Sequence, residues 1–214
     1  MILFYPMSYY SDFKYGRRDS WYHHFQFERW FKDNVGPILD IGCSVGDFIS
    51  VRPDIIEGVD IDEDALQKAR KSGFNVTKIN VDKGELSKLG GERYSGVLAR
   101  QIIEHLSNPL EFIKEIKRIL KIDGKAVILT PNCPYALSRA FWDDYTHVRP
   151  LTKASLNMLA LDAGFTKIKI YEDFRPMFGM GFLIRKFHFS PDLVSKVQRF
   201  LFLRGFSLVM ELKK

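Results

Sequence analysis

Ile38-Leu39-Asp40-Ile41-Gly42-Cys43-Ser44-Val45-Gly46-Asp47-Phe48 decides the fold. A short apolar run ends in an aspartate, and two glycines follow four residues apart. The pattern predicts a buried strand, a tight turn and the start of a helix. Gly42 takes backbone angles that a side chain resists, and Gly46 allows a close approach by chain or ligand. The turn is expected to present N–H groups at a helix N-terminus, an anchor for an anionic or hydrogen-bonding ligand. Phe48 and Ile49 stand where the dinucleotide fingerprint G-x-G-x-x-G needs its third glycine. The Lys-Ser/Thr of a phosphate-cradling P-loop is also missing.

About twenty residues on, Ile55-Ile56-Glu57-Gly58-Val59-Asp60-Ile61-Asp62 is a second apolar run ending in an acid. Val76 to Val81 reads as a third strand and leads into Asp82. In open parallel sheets ligands lie outside the carboxyl ends of the strands. An acid there accepts hydrogen bonds from the hydroxyls of a ribose. Three strands that each deliver an acid to one edge form a more specific pattern than any single motif.

The segments LDIGCSVGDF, GVDID, IIEHLSNPLEFIKEIKRILKIDGKAVILTPN and DYTHVRPLTKASLNMLALDAGF, in this order, resemble class I S-adenosylmethionine-dependent methyltransferases. They are most similar to the branch that methylates small molecules, quinone precursors and glycans. The resemblance spans residues 36 to 172, with a return at the C-terminus. It implies an α/β, Rossmann-like doubly wound fold: a seven-stranded, mostly parallel sheet whose last strand is antiparallel. One domain is expected. Residues 1–35 form a helical N-terminal extension or lid, 36–172 the core, 173–205 an insertion or acceptor cap, and 206–214 the last strand.

The resemblance also implies site roles. Asp40, Gly42, Cys43 and Gly46 line the methionine part of S-adenosylmethionine. Asp60, beside Ile61, holds the ribose hydroxyls, and Asp82 accepts from the adenine amino group. Arg100 and Gln101 border the sulfonium. Ser44 stands where the family usually has another glycine. Methyl transfer from a sulfonium is an in-line displacement, so the protein mainly aligns nucleophile and methyl carbon. A hydroxyl acceptor must also lose a proton, a task that suits histidine. His147 is the catalytic candidate, with Asp144 to orient it or bind the acceptor. Small-RNA 3′-end methyltransferases look similar around Glu104-His105 and hold a divalent metal there. Gln101 replaces the first acid of that pattern, and Glu104, His105 and His147 make a mixed N/O set. Metal is the less favoured reading.

The remaining sequence bounds the partners. The 214 residues suffice for one sizeable α/β domain, and 46% hydrophobic with 27% charged residues are ordinary globular values. Without an apolar run of about 18 residues or a signal-peptide pattern, a cytoplasmic protein is expected. Two cysteines, Cys43 and Cys133, make no disulfide framework and read as small buried thiols. The net charge of +6 and pI near 9.2 come without a basic block, so a small-molecule acceptor is favoured over nucleic acid. Residues 173–205 carry aromatics among Lys and Arg. They read as a cap over the acceptor cleft or, more sharply, as a peripheral membrane contact.

Local signals place the other elements. Phe27, Trp30 and Phe31 mark a helix whose aromatics dock on the sheet or close over the cofactor. Asn108, Pro109 and Glu111 start a helix that Asp123-Gly124 is expected to stop. Thr152 caps another, ended by Gly164. Residues 132–151 form a long, aromatic-rich connection of the functional kind. Rival readings are a nucleotide-binding oxidoreductase, disfavoured by the missing glycine, and a methyltransferase-like binding module without turnover. Oligomeric state is not encoded in any of these signals.

Overall fold

A computed structural model describes residues 20–132, 139–173 and 207–214. The proposed cap or membrane contact after Asp173, Cys133, and residues 1–19 lie outside the described residues. The sheet has seven strands: β1 (Ile38–Ile41), β2 (Ile56–Asp60), β3 (Val76–Lys78), β4 (Tyr94–Arg100), β5 (Leu120–Pro131), β6 (Lys167–Asp173) and β7 (Ser207–Lys213). Their order is β3-β2-β1-β4-β5-β7-β6. All pairings are parallel except those of β7, which runs antiparallel to both β5 and β6. This is the expected doubly wound sheet with an antiparallel last strand.

Alternation along the strands builds two cores. Leu39, Val97, Ala99, Ala126 and Ile128 face one side, with helices α3 (Pro109–Ile119) and α4 (Lys153–Asp162) packed over them. Ile38, Leu98, Val127 and Leu129 face the other, covered by α1 (Ser20–Phe31) and α2 (Glu63–Lys71). Burial on both faces is why β1 reads as a continuous apolar run rather than an alternating one. Phe27, Trp30 and Phe31 are buried in the second core, so the aromatics of α1 dock it on the sheet. Arg29 adds a buried ion pair to Asp173 at 2.6 Å. Among the described residues, no helix is long and apolar enough to cross a membrane.

Helix ends follow the sequence signals with one correction. The Asp62 side chain caps α2 by accepting from the N–H groups of Asp64 and Ala65. Asn108 caps α3 by accepting from the Glu111 N–H. Thr152 and Ser155 form a capping box on α4. The correction concerns Asp123-Gly124, which does not stop α3. That helix ends at Ile119, and Leu120 already pairs with Tyr94 of β4. A Cβ on Gly124 would lie 2.8 Å from the Lys121 carbonyl oxygen and 3.1 Å from that of Tyr94. The glycine is required by the close approach of backbone in an irregular strand entry. The third strand is also shorter than expected: it ends at Lys78, and Asp82 sits in a 3₁₀ turn (Val81–Lys83) capped by Asn80.

The topology fixes where a ligand binds. From β1 the chain winds outward through β2 and β3; from β4 it winds the other way. The crevice at such a reversal, at the carboxyl ends of the strands, is the standard ligand position in open α/β sheets. The loops after β1, β2 and β4 all open there.

Candidate active site

Asp40 lies one residue before the end of β1 and is fully buried. Arg100, at the end of β4, reaches its Oδ2 with Nη2 at 3.5 Å. Among the described residues, its Oδ1 has no hydrogen-bond partner. Burial outweighs the attraction of Arg100 and pushes the Asp40 carboxyl from 3.8 up to about 6. A carboxylate enclosed with one oxygen unsatisfied costs stability and favours a cationic or N–H-bearing ligand. Arg100 is held from the far side by α1: Nη1 lies 3.0 Å from His23 Nδ1 and donates to Gln26 Oε1 at 3.1 Å. Its guanidinium also stacks over Phe48. The N-terminal helix therefore docks on the sheet and closes one side of the crevice.

The glycine loop works differently from the expectation. The N–H groups of Gly42 and Cys43 both go to the Val59 carbonyl, that of Ser44 to Asp60 Oδ2 and that of Gly46 to the Cys43 carbonyl. These four donors are spent inside the loop, so they are not the anchor for a ligand. The element that follows is a short 3₁₀ turn (Ile49–Val51) rather than a full helix. Gly42 and Gly46 have φ of 75° and 87°, and a Cβ on either would meet Ile102 at 2.4 Å or Phe74 at 2.5 Å. Protein packing as well as backbone angle requires glycine there. Cys43 is buried with its sulfur against Gly58, and burial raises its thiol far above the usual range. It fills space between β1 and β2, and its side chain is not presented to the crevice.

Ser44, at the family's glycine position, takes φ of 48°. The left-handed geometry is thus kept although the residue is not glycine, at a cost of about 1–2 kcal/mol. Ser44→Gly is expected to raise stability by about 0.5–1 kcal/mol after the greater freedom of glycine in the unfolded chain is counted. The urea midpoint at unchanged slope measures it.

Asp60 ends β2 and holds the loop: Oδ2 accepts from the Ser44 N–H at 2.7 Å and Oδ1 from the Asp62 N–H at 3.0 Å. Burial raises its carboxyl, and the N–H groups of Asp62, Ser44 and Ile61 oppose the rise. Each oxygen keeps a second lone pair for a ligand hydroxyl. Ile61 beside it is 46% exposed, an apolar face at the crevice rim. Asp82 is exposed, and Ser107 occupies both its oxygens, through N–H at 2.6 Å and Oγ at 2.9 Å. It ties the turn after β3 to the loop after β4. Gln101 follows Arg100 with φ of 54°, and its N–H goes to the Leu129 carbonyl. Non-glycine residues in this region cluster at ligand sites.

Beyond Gln101 the loop turns through Glu104 and His105, and the connection after β5 folds onto it. Val148 and Arg149 N–H groups both donate to the Glu104 carbonyl. Glu104 is fully buried, with Oε2 accepting from the Thr130 hydroxyl. His147 lies between Phe141, on which it stacks at a ring separation of 4.3 Å, and the tilted ring of His105 at 4.6 Å. Asp144 Oδ2 lies 3.9 Å from His147 Nε2, beyond hydrogen-bond range and within reach of an ion pair with a protonated ring. Asp144 Oδ1 instead accepts from the Thr146 hydroxyl at 2.6 Å, and Thr146 Oγ1 lies 2.9 Å from His105 Nδ1. The Phe141 carbonyl, 2.7 Å from Nδ1, orients His147. The crevice partners His23, Gln26, Ser107 and Thr146 were not legible in the sequence. Each meets its partner across 25 to 77 residues of chain, and no local spacing signals such a contact.

A methyltransferase-domain family model matches residues 16–170. A probable S-adenosylmethionine-dependent methyltransferase of Mycobacterium tuberculosis is 30% identical over 135 residues, 61% of this chain and 49% of that protein. A ubiquinone biosynthesis O-methyltransferase of Pseudomonas savastanoi is 25% identical over 114 residues, covering 48% and 49%. The chain spans about half the length of these curated relatives. The crystal structure of a SAM-dependent methyltransferase from Archaeoglobus fulgidus superposes with TM-score 0.71 and 25% identity over 96% of this chain and 98% of that one. With the doubly wound sheet, the carboxylates of Asp40 and Asp60 at its reversal and the family match over most of its length, the chain belongs to the class I S-adenosylmethionine-dependent methyltransferases.

Proposed function

We propose that the protein transfers the methyl group of S-adenosylmethionine to a hydroxyl of a small acceptor, such as a sugar or glycan precursor or a quinone-like molecule. The observation that carries the choice of a hydroxyl is the pair of imidazoles packed together beyond Gln101, His105 on the loop after β4 and His147 on the connection after β5. A hydroxyl, unlike a neutral amine, is a poor nucleophile until its proton is withdrawn, and neutral imidazole suits that step. The ubiquinone O-methyltransferase relative supports the same chemistry.

In this reading Asp40 meets the positive end of the cofactor's methionine moiety, and its enclosure strengthens that contact. Asp60 accepts from the ribose hydroxyls, and Ile61 packs on the adenine. Asp82, when released from one Ser107 bond, accepts from the adenine amino group. Arg100 and Gln101 border the sulfonium. His147 takes the acceptor proton through Nε2, while Phe141 and His105 hold the ring in place. Asp144 acts at one remove, through Thr146 on His105.

The test is turnover of S-adenosylmethionine against matched panels of hydroxylated and amine-bearing small molecules, read as a mass gain of one methylene. Methylation of hydroxylated acceptors, lost in His147→Ala with cofactor affinity unchanged, is the expected result. Methylation of amines alone overturns the choice of hydroxyl. Cofactor binding with no turnover on any acceptor supports the binding-module reading.

A further inference from the structure

We propose that Arg100 is the anion-binding residue of the crevice, with N–H groups held ready for a carboxylate or another oxyanion of a bound ligand. The inference rests on the methyl-transfer reading and adds the chemistry of the ligand to it.

A guanidinium carries five N–H donors and no acceptor. Arg100 Nη1 donates to His23 Nδ1 at 3.0 Å and to Gln26 Oε1 at 3.1 Å, so both of its hydrogens are taken. Because arginine can only donate, His23 Nδ1 accepts, and that ring is neutral. Nη2 reaches Asp40 Oδ2 at 3.5 Å, the long end of hydrogen-bond range. Among the described residues, nothing engages the Nε–H or the second Nη2 hydrogen. Phe48 lies against the face of the guanidinium, 5.4 Å from carbon to ring centre. The group is thus held in place by α1, Phe48 and Asp40 and still has two donors to give.

Charge points the same way. The Arg100 side chain is only 20% exposed, and a charge so enclosed is costly unless it is paired. Two of its three partners, His23 and Gln26, are neutral. The third, Asp40, is a carboxyl that burial itself pushes toward its neutral form. A sulfonium brought beside Arg100 adds a like charge, which an anionic group nearby would offset. The methionine part of S-adenosylmethionine bears its ammonium and its carboxylate on one carbon. Asp40 Oδ1, without a partner among the described residues, and the uncommitted donors of Arg100 are the opposite charges that such a zwitterion needs. A carboxylate or phosphate on the acceptor is a second source of the same chemistry. The planar fork of arginine matches either oxyanion.

The test is calorimetry of the full chain with S-adenosylmethionine and with its decarboxylated form, for the unmutated protein and for Arg100→Met. The unmutated protein should prefer the carboxylated compound by at least about tenfold, and Arg100→Met should bring the two within about twofold. Methylthioadenosine, which has no amino-acid part, should bind both proteins alike and so shows that the variant keeps its fold at the site. If it does not, nitrogen-15 spectra of the unmutated protein decide: the Arg100 Nε–H signal should move with S-adenosylmethionine and stay with the decarboxylated form. Where Arg100 does not affect that preference, sulfate is titrated into the protein saturated with S-adenosylmethionine. A moving Nε–H signal then assigns the anion to the acceptor, and an unmoved one overturns the proposal. A protein that binds neither S-adenosylmethionine nor methylthioadenosine overturns the methyl-transfer reading instead, and sulfate titrated into the ligand-free protein still reads Arg100.

Discussion

Asp60→Ala is expected to lower affinity for S-adenosylmethionine by roughly 100- to 10,000-fold. Two hydrogen bonds from ribose hydroxyls to a charged acceptor contribute about 3–6 kcal/mol, and each 1.4 kcal/mol is about tenfold in affinity. The same carboxylate organises the loop, because it holds the Ser44 N–H at 2.7 Å and the Asp62 N–H at 3.0 Å. Removing it strips the ligand contact and leaves two backbone donors without their acceptor. A stability loss of about 1–3 kcal/mol should accompany the affinity loss. Asp60→Asn separates the two effects. The carboxamide oxygen can retain one backbone bond, so stability should recover more than affinity does. Calorimetry with cofactor and denaturant midpoints without it measure the two quantities. Unchanged affinity in Asp60→Ala would remove this residue from the cofactor site.

Asp40→Asn is expected to act in opposite directions on stability and on binding. The carboxyl is raised by burial from 3.8 to about 6. Between those values the folded protein holds a proton that the unfolded chain has released. The contribution is therefore fully present below about pH 4 and is lost as pH rises through about 6. The gap corresponds to about 3 kcal/mol. Asparagine does not titrate, so the stability of Asp40→Asn relative to the unmutated protein should improve by about 3 kcal/mol between pH 4 and pH 7. In the same variant S-adenosylmethionine should bind at least tenfold more weakly, because the carboxylate no longer meets a positive ligand. Saturating the unmutated protein with cofactor should flatten its own pH dependence, since a cation beside Asp40 returns its pKa toward normal. A stability difference independent of pH would mean that Asp40 titrates at its ordinary value in the folded chain.

Together these two positions describe how the crevice is prepared. Asp60 accepts from two backbone N–H groups and rigidifies the loop. Asp40 differs: among the described residues its Oδ1 has no partner, and Arg100 reaches only the other oxygen, at 3.5 Å. In the proposed role of Asp40, part of the cofactor's binding free energy would come from relieving a cost already present in the fold, a form of preorganisation. Arg100 ties Asp40 to α1 through His23 and Gln26.

The strands and the acids that follow them were legible from local patterns, and the sheet with its antiparallel last strand from the family resemblance. Ile38, Leu39 and Ile41 are all apolar, rather than alternating, since both faces of β1 are buried. The caps at Asp62, Asn108 and Thr152 act within three residues. The family motifs placed Asp40 and Asp60 at the ends of adjacent strands. Where local reading failed, a distant partner decided the outcome. Gly124 serves the backbone of Tyr94 rather than the end of a helix. The loop N–H groups turn inward because Val59 and Asp60 accept them. The hydrogen bond of Asp144 goes to Thr146, which contacts His105, rather than to His147. Sequence alone determined where the strands and helix starts lie and which acids follow them, since periodicity, capping and turn chemistry act over a few residues. Only tertiary structure decided which donors remain for a ligand and which nitrogen each histidine presents. Hydrogen bonds between segments tens of residues apart consume some groups and orient others, and nothing in local spacing encodes that choice.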